Sequence, residues 1–125
     1  MYKSLFAIGF AGWMIATAAL RLGGQHVLRP GKPGATIALF VVSFLLMGWL
    51  ARRLCRRFRL PPEKWVAGTL ALLLPTLLMD PFTSAFFSAA FPNMAPEMAG
   101  AFGGWMLCSC AGGFVGAAIP PAQTK

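Results

Sequence analysis

The sequence predicts an all-α fold, a polytopic bundle of four transmembrane helices, and three observations predict it. Four long apolar runs follow one another along the 125 residues. Charged residues make up 11% of the chain and apolar ones 58%, where a soluble domain carries roughly 25% charged residues. The charges are also unevenly placed, six of the eleven Lys and Arg falling between Arg52 and Lys64. A soluble domain of this length leaves about a third of its unfolded surface exposed. A chain with a mean hydropathy of +0.68 has too few polar groups to cover such an exterior. An ordinary globular enzyme, a disordered tail and a disulfide-stapled secreted module are thereby excluded.

The expected spans are about 4–22, 35–53, 63–90 and 98–119, within one integral membrane domain covering 1–125. A bilayer core of about 30 Å takes about 20 helical residues, with 17 to 25 tolerated. The first run ends at Arg21 and the second at Arg52 and Arg53, whose stems can snorkel to the interface. The third is long enough to tilt or to break, and the fourth is closed by Pro120 and Pro121. Strands are too short to account for such runs. Leu60-Pro61-Pro62-Glu63 starts a helix, with proline and an acid in its first turn. Gly31-Lys32-Pro33-Gly34 and Phe91-Pro92-Asn93 are turn chemistry. Lys3 and Ala16-Thr17-Ala18 have the outline of a signal peptide, but the apolar run is longer than a signal core. The reading is therefore an uncleaved first span.

The cations predict the orientation. With the Arg52–Lys64 loop in the cytoplasm, both chain ends lie there too, and eight of the eleven cations are inside. Only Arg21, Arg29 and Lys32 fall outside, so the expected topology is N-in and C-in. The basic segment Arg52, Arg53, Arg56, Arg57 and Arg59 is expected to extend the second helix. There it complements the helix dipole and anchors the chain against anionic lipid headgroups. No nucleic-acid partner is needed to explain the net charge of +8.

Asp80 is the one acid inside an apolar stretch, and ionisable residues in spans are functional candidates. It lies 15 residues past Trp65, about 22 Å along a helix, while Arg21 lies 16 residues past Leu5, about 24 Å. The first and third spans run the same way, so an Asp80–Arg21 ion pair is expected. Asp followed by Pro is also an N-cap followed by N1. The third helix is therefore expected to be broken or kinked near Asp80-Pro81, with a second segment from Pro81 to Ala90. Thr69, Thr76, Asp80, Ser84 and Ser88 share one helix face. That face either lines a polar path, with Asp80, Arg21, Thr76 and Ser84 as its candidate site, or packs through interhelical hydrogen bonds. Pro75 and Pro81 each leave a carbonyl without its donor, and the nearby hydroxyls are candidates to compensate.

Gly100, Gly104, Cys108, Gly112 and Gly116 recur every four residues in the fourth span. Such a ridge lets another helix approach closely. Its partner is another span or a second copy, so a homodimer through the fourth span is one expectation. Gly12 and Ala16 form a weaker small-residue pair in the first span. Cys108 and Cys110 project about 200° apart on a helix and cannot share a ligand. Cys55 is passive, and His26 reads as a loop residue. No catalytic motif, metal site or cofactor is expected.

Several features in order carry a resemblance. They are Arg21-Leu22-Gly23-Gly24-Gln25, Arg56-Arg57-Phe58-Arg59-Leu60-Pro61-Pro62-Glu63, the intramembrane Asp80, and Phe91-Pro92-Asn93. Together the chain resembles a family of small, uncharacterised four-span bacterial membrane proteins, a domain of unknown function. The resemblance implies a bacterial cytoplasmic membrane and no activity. The length is also that of small multidrug-resistance transporters, but the acid those place in the first span has no counterpart here. The expected function is a structural or accessory role without catalysis. The alternative is a small transporter or channel subunit using the Asp80–Arg21 pair.

Overall fold

A computed structural model describes residues 2–28 and 30–119. Arg29, Lys125 and the Pro120-Pro121 stop, which enter the orientation and boundary arguments, lie outside the described residues. The long helices are α1 (Tyr2–Gly23), α2 (Pro33–Arg57), α3 (Trp65–Ala85) and α5 (Ala99–Ala118), with a one-turn α4 (Phe87–Ala90) between the last two. No strand occurs among the described residues. With the 3-10 turns that adjoin three of them, the four long helices cover Tyr2–His26, Pro33–Arg57, Pro62–Ala85 and Pro96–Ala118, each long and apolar enough to cross a membrane. Large apolar side chains on the outside, such as Ile15, Val42, Leu45 and Leu107, suit contact with acyl chains. The chain is thus built as a multi-pass membrane protein.

Helix directions follow from their contacts. Leu5 packs at Gly68 and Gly9 at Leu72, so α1 and α3 run the same way. Phe40 meets Gly104 and Gly48 meets Gly116, so α2 and α5 also run together. Leu73 packs on Gly113 while Ser84 approaches Gly103, so α3 and α5 are antiparallel. The strongest packing is α2 on α5, then α1 on α3, then α3 on α5. α1 and α2 barely touch, which leaves the bundle open along that side.

Two apolar clusters close the ends. At the basic end Leu5, Cys55, Leu60, Trp65, Leu72 and Ala117 come together. At the other end Leu20, Leu28, Phe87, Phe91, Met94, Met98 and Phe102 do so. The rings of Phe87, Phe91 and Phe102 lie 5.0–5.6 Å apart, centroid to centroid, within the range of favourable tilted aromatic packing. Both described chain ends and the α2–α3 loop are therefore on one side of the bundle.

The interruption of the third helix is displaced from its expected place. α3 runs without a break through Asp80 and Pro81 to Ala85, and the chain leaves the helix at Phe86 (φ −112°, ψ 44°). Asp80 is therefore not an N-cap. Proline costs a helix one hydrogen bond and some crowding, whereas leaving the helix within a bilayer orphans several backbone groups. Continuing through Pro81 is the cheaper course. The Thr83 hydroxyl donates to the Asp80 carbonyl at 3.0 Å, rather than to either carbonyl orphaned by a proline.

The end of α2 has a specific stop. Arg59 adopts φ 55°, Leu60 N–H donates to Cys55 O and Arg59 N–H to Arg56 O, both at 3.0 Å. This is a Schellman turn with arginine in the left-handed position that glycine usually fills. It turns Leu60 into the basic-end cluster, where the Trp65 indole donates to Leu60 O at 2.9 Å.

Candidate functional site at Asp80

The site begins with Gly9. A Cβ there would collide with the Leu72 carbonyl, so glycine is what lets α1 lie against α3. One turn on from Gly9, Trp13 reaches across, and its indole Nε1 donates to Asp80 Oδ1 at 2.8 Å. Thr83 Oγ1 donates more weakly to the same oxygen at 3.4 Å. Asp80 is only 7% exposed, and its other oxygen, Oδ2, is buried without a hydrogen-bond partner. A buried polar atom in that condition costs free energy in either protonation state. As a carboxylate, Oδ2 is an idle acceptor; as an acid, it is an idle donor or acceptor.

Asp80 lines a central cavity of about 370 Å³ between the four long helices. Trp13, Thr17, Thr76 and Ser109 bring the other polar groups, and the rest of the wall is largely apolar. A second cavity of about 290 Å³ between α3 and α5 shares Thr76, Asp80 and Cys110 with the first and adds Ser84. Thr76 and Ser84 thus line one cavity with Asp80, Thr69 is fully buried, and Ser88 lies exposed beyond the break. Among the described residues no group of His, Cys, Asp or Glu is arranged to hold a metal ion.

Arg21 is not part of this site. It is exposed, and the partners of the Asp80 carboxyl are Trp13 and Thr83. The expected ion pair assumed that Leu5 and Trp65 share a depth. The actual register sets Leu5 at Gly68 and Gly9 at Leu72, which puts Arg21 level with Ser84, one turn beyond Asp80. Leu20 is the inward residue there, and Arg21 projects about 100° round the helix from it. Trp13 and Thr83 were not singled out from the sequence. A signal for Trp13 exists: an indole N–H buried in a span needs an acceptor, and Asp80 is the one acid within a span.

The glycine ridge is occupied within the chain. A Cβ on Gly112 would overlap Phe44 O, and one on Gly116 would sit 2.6 Å from Gly48 Cα. Gly104 faces the Phe40 ring, and Cys108 Sγ lies 3.6 Å from Phe40 O. Gly100 falls outside the seam, with nothing near its Cβ position. The weaker pair of the first span behaves likewise: Gly12 is open and the close approach is at Gly9. The Trp105 indole adds a 2.7 Å hydrogen bond to Ser43 Oγ across the same seam.

The basic segment divides in two. Arg52 donates to Gly116 O and Ile119 O, both at 2.8 Å, and lies 5.3 Å over the Trp65 ring. It therefore satisfies the end of α5 and ties three helices together. Arg53, Arg56, Arg57 and Arg59 are exposed. At the opposite end, the Asn93 amide donates to Leu20 O at 2.9 Å and to Gln25 Oε1 at 2.6 Å. Met94 packs against Gly24. The Gly24-Gln25 and Pro92-Asn93 motifs, far apart in sequence, thus meet to close the C-terminal end of α1.

No curated protein and no solved structure matches this sequence. A family model does match, over residues 27–124, a stretch that holds the basic segment, the buried Asp80 and the Phe91-Pro92-Asn93 turn. The chain belongs to that family, the Family of unknown function (DUF5367).

Proposed function

We propose that this protein is a small membrane carrier or carrier subunit that binds a lipophilic cation in its central cavity. Asp80 is the charge anchor and Trp13 the residue that positions it. The observation that carries this reading is Asp80 Oδ2, buried and unpartnered in the wall of a largely apolar cavity. A cationic or protonatable nitrogen beside that oxygen would supply its missing partner, and the indole face adds a cation–π contribution. Apolar walls favour lipophilic surface, which such a cation has and a hydrated metal ion lacks. The α1–α2 side, where the helices barely touch, offers entry from the bilayer. This is the transport alternative with Trp13 in the place once given to Arg21, and it includes no chemical step.

The topology in this reading is N-in and C-in, in a bacterial cytoplasmic membrane, with the basic loop against anionic lipid and no nucleic acid. A homodimer contact through the fourth span belongs on the exposed edge of α5, at Leu107, Ala111 and Val115, since α2 covers the glycine ridge. A structural or accessory role is the second reading. It is favoured by the Trp13–Asp80 bond, which fastens α1 to α3.

Binding of radiolabelled tetraphenylphosphonium to the purified protein in detergent separates the two. The carrier reading expects saturable binding that drops at least tenfold in Asp80→Asn and survives in Asp80→Glu, at unchanged elution volume. Equal binding by Asp80→Asn, or no saturable binding by the parent protein, overturns it. Loss of the folded species in both variants without parent binding supports the structural role.

A further inference from the structure

A groove of about 630 Å³ lies along the C-terminal end of α2, away from Asp80. Its walls are Trp49, Arg53, Arg56 and Arg57, and its floor includes Leu50 and Leu54. Arg53 stacks 5.5 Å over the Trp49 ring. That contact keeps the guanidinium beside the indole face. Among the described residues no carboxylate pairs with Arg53, Arg56 or Arg57, and all three are exposed. Three cations lining one groove without an acid among them favour an anion there.

The floor identifies the kind of anion. Leu50 and Leu54 also line the central cavity, so the basic groove and the apolar cavity adjoin along α2. A ligand that fills both parts has an anionic head and a hydrocarbon tail. A free phosphate would use only the mouth. We propose that this crevice binds one membrane phospholipid with an anionic headgroup. Its phosphate lies between Arg53 and Arg57, which can engage it through paired N–H donors, and one acyl chain runs over Leu50 and Leu54. Arg52 also lines the groove, but its Nη1 is committed to the end of α5. The acyl chain lies at the basic end of the side that α1 and α2 leave open. The inference goes beyond the cation reading and does not depend on it.

Native mass spectrometry of the full-length protein, released from detergent after incubation with phosphatidylglycerol or phosphatidylcholine, tests it. The expected result is one retained phosphatidylglycerol, with retention at least tenfold above that of phosphatidylcholine. Retention falls about tenfold in the Arg53→Gln/Arg57→Gln variant. It also falls severalfold in Arg53→Lys/Arg57→Lys, which keeps the charge but not the paired donors. It is unchanged in Asp80→Asn, so failure here is distinct from failure of the cation reading. Equal retention of the two lipids overturns the proposal. So does full retention by the lysine variant, which would reduce the effect to diffuse charge attraction. Displacement of the lipid by excess inorganic phosphate would assign the groove to a soluble anion instead, and would equally overturn it.

Discussion

The seam between α2 and α5 and the crevice between α1 and α2 are opposite solutions within one bundle. In the seam, Gly48, Gly112 and Gly116 bring backbone against backbone, and no room remains for even a methyl group. Across the crevice the two helices barely touch, and the space between them continues into a cavity of about 370 Å³. Helices in a bilayer gain no hydrophobic drive from meeting each other, so small residues and polar contacts decide where they close. The small residues are concentrated on one side, and the buried acid stands at the wall of the side left open. The closed seam acts as the frame against which an open, polar-centred cavity is held.

Substitutions can break each half of that contrast in turn. Gly112→Leu has the largest expected effect, because its side chain meets the Phe44 backbone and α2 must move. Overpacking alone costs about 1–3 kcal/mol, and a backbone clash adds to it. The expected outcome is loss of the monodisperse species on size exclusion. Gly9→Leu comes next: it pries α1 from α3 at Leu72, lowering the melting temperature in detergent and cation binding together. Trp13→Phe keeps the ring but removes the donor to Asp80. A cost of about 1–2 kcal/mol in reversible unfolding is expected, in line with hydrogen bonds to acidic groups. Arg59→Gly relieves a left-handed backbone position and is expected to stabilise by about 1 kcal/mol. Gly100→Ala is the control: nothing lies near its Cβ position. A small gain, below about 1 kcal/mol, is expected from helix propensity, although the sequence places Gly100 on the same ridge as Gly112.

Much of this architecture is legible in the sequence. Apolar run length and cation placement predict four helices and put both chain ends on the side of the Arg52–Lys64 loop, because those features answer to the bilayer. The glycine ridge announces a close contact, and the spacing of Thr76, Asp80 and Ser84 announces a shared face. What the sequence does not carry is the register between helices. Placing Leu5 opposite Trp65 rather than Gly68 moved Arg21 about one turn and paired it with the wrong residue. Nor does a proline in sequence tell whether the helix will break. Asp80-Pro81 reads as a cap and a start, but the cost of orphaned backbone in a bilayer keeps α3 helical to Ala85. The role of Arg52 at the end of α5 also depends on which helices are neighbours, which no spacing within α2 reveals.

Asp80 is the only aspartate in the chain, so labelling with carboxyl-¹³C aspartate isolates its signal in infrared difference spectra. In the carrier reading this carboxyl meets a cation inside the cavity. Adding tetraphenylphosphonium to the labelled protein is predicted to shift the isotope-sensitive carboxyl band, with no such shift in Gly9→Leu, where the cavity wall is displaced. An isotope-sensitive band that stays unchanged at saturating cation would mean that Asp80 does not anchor the cation.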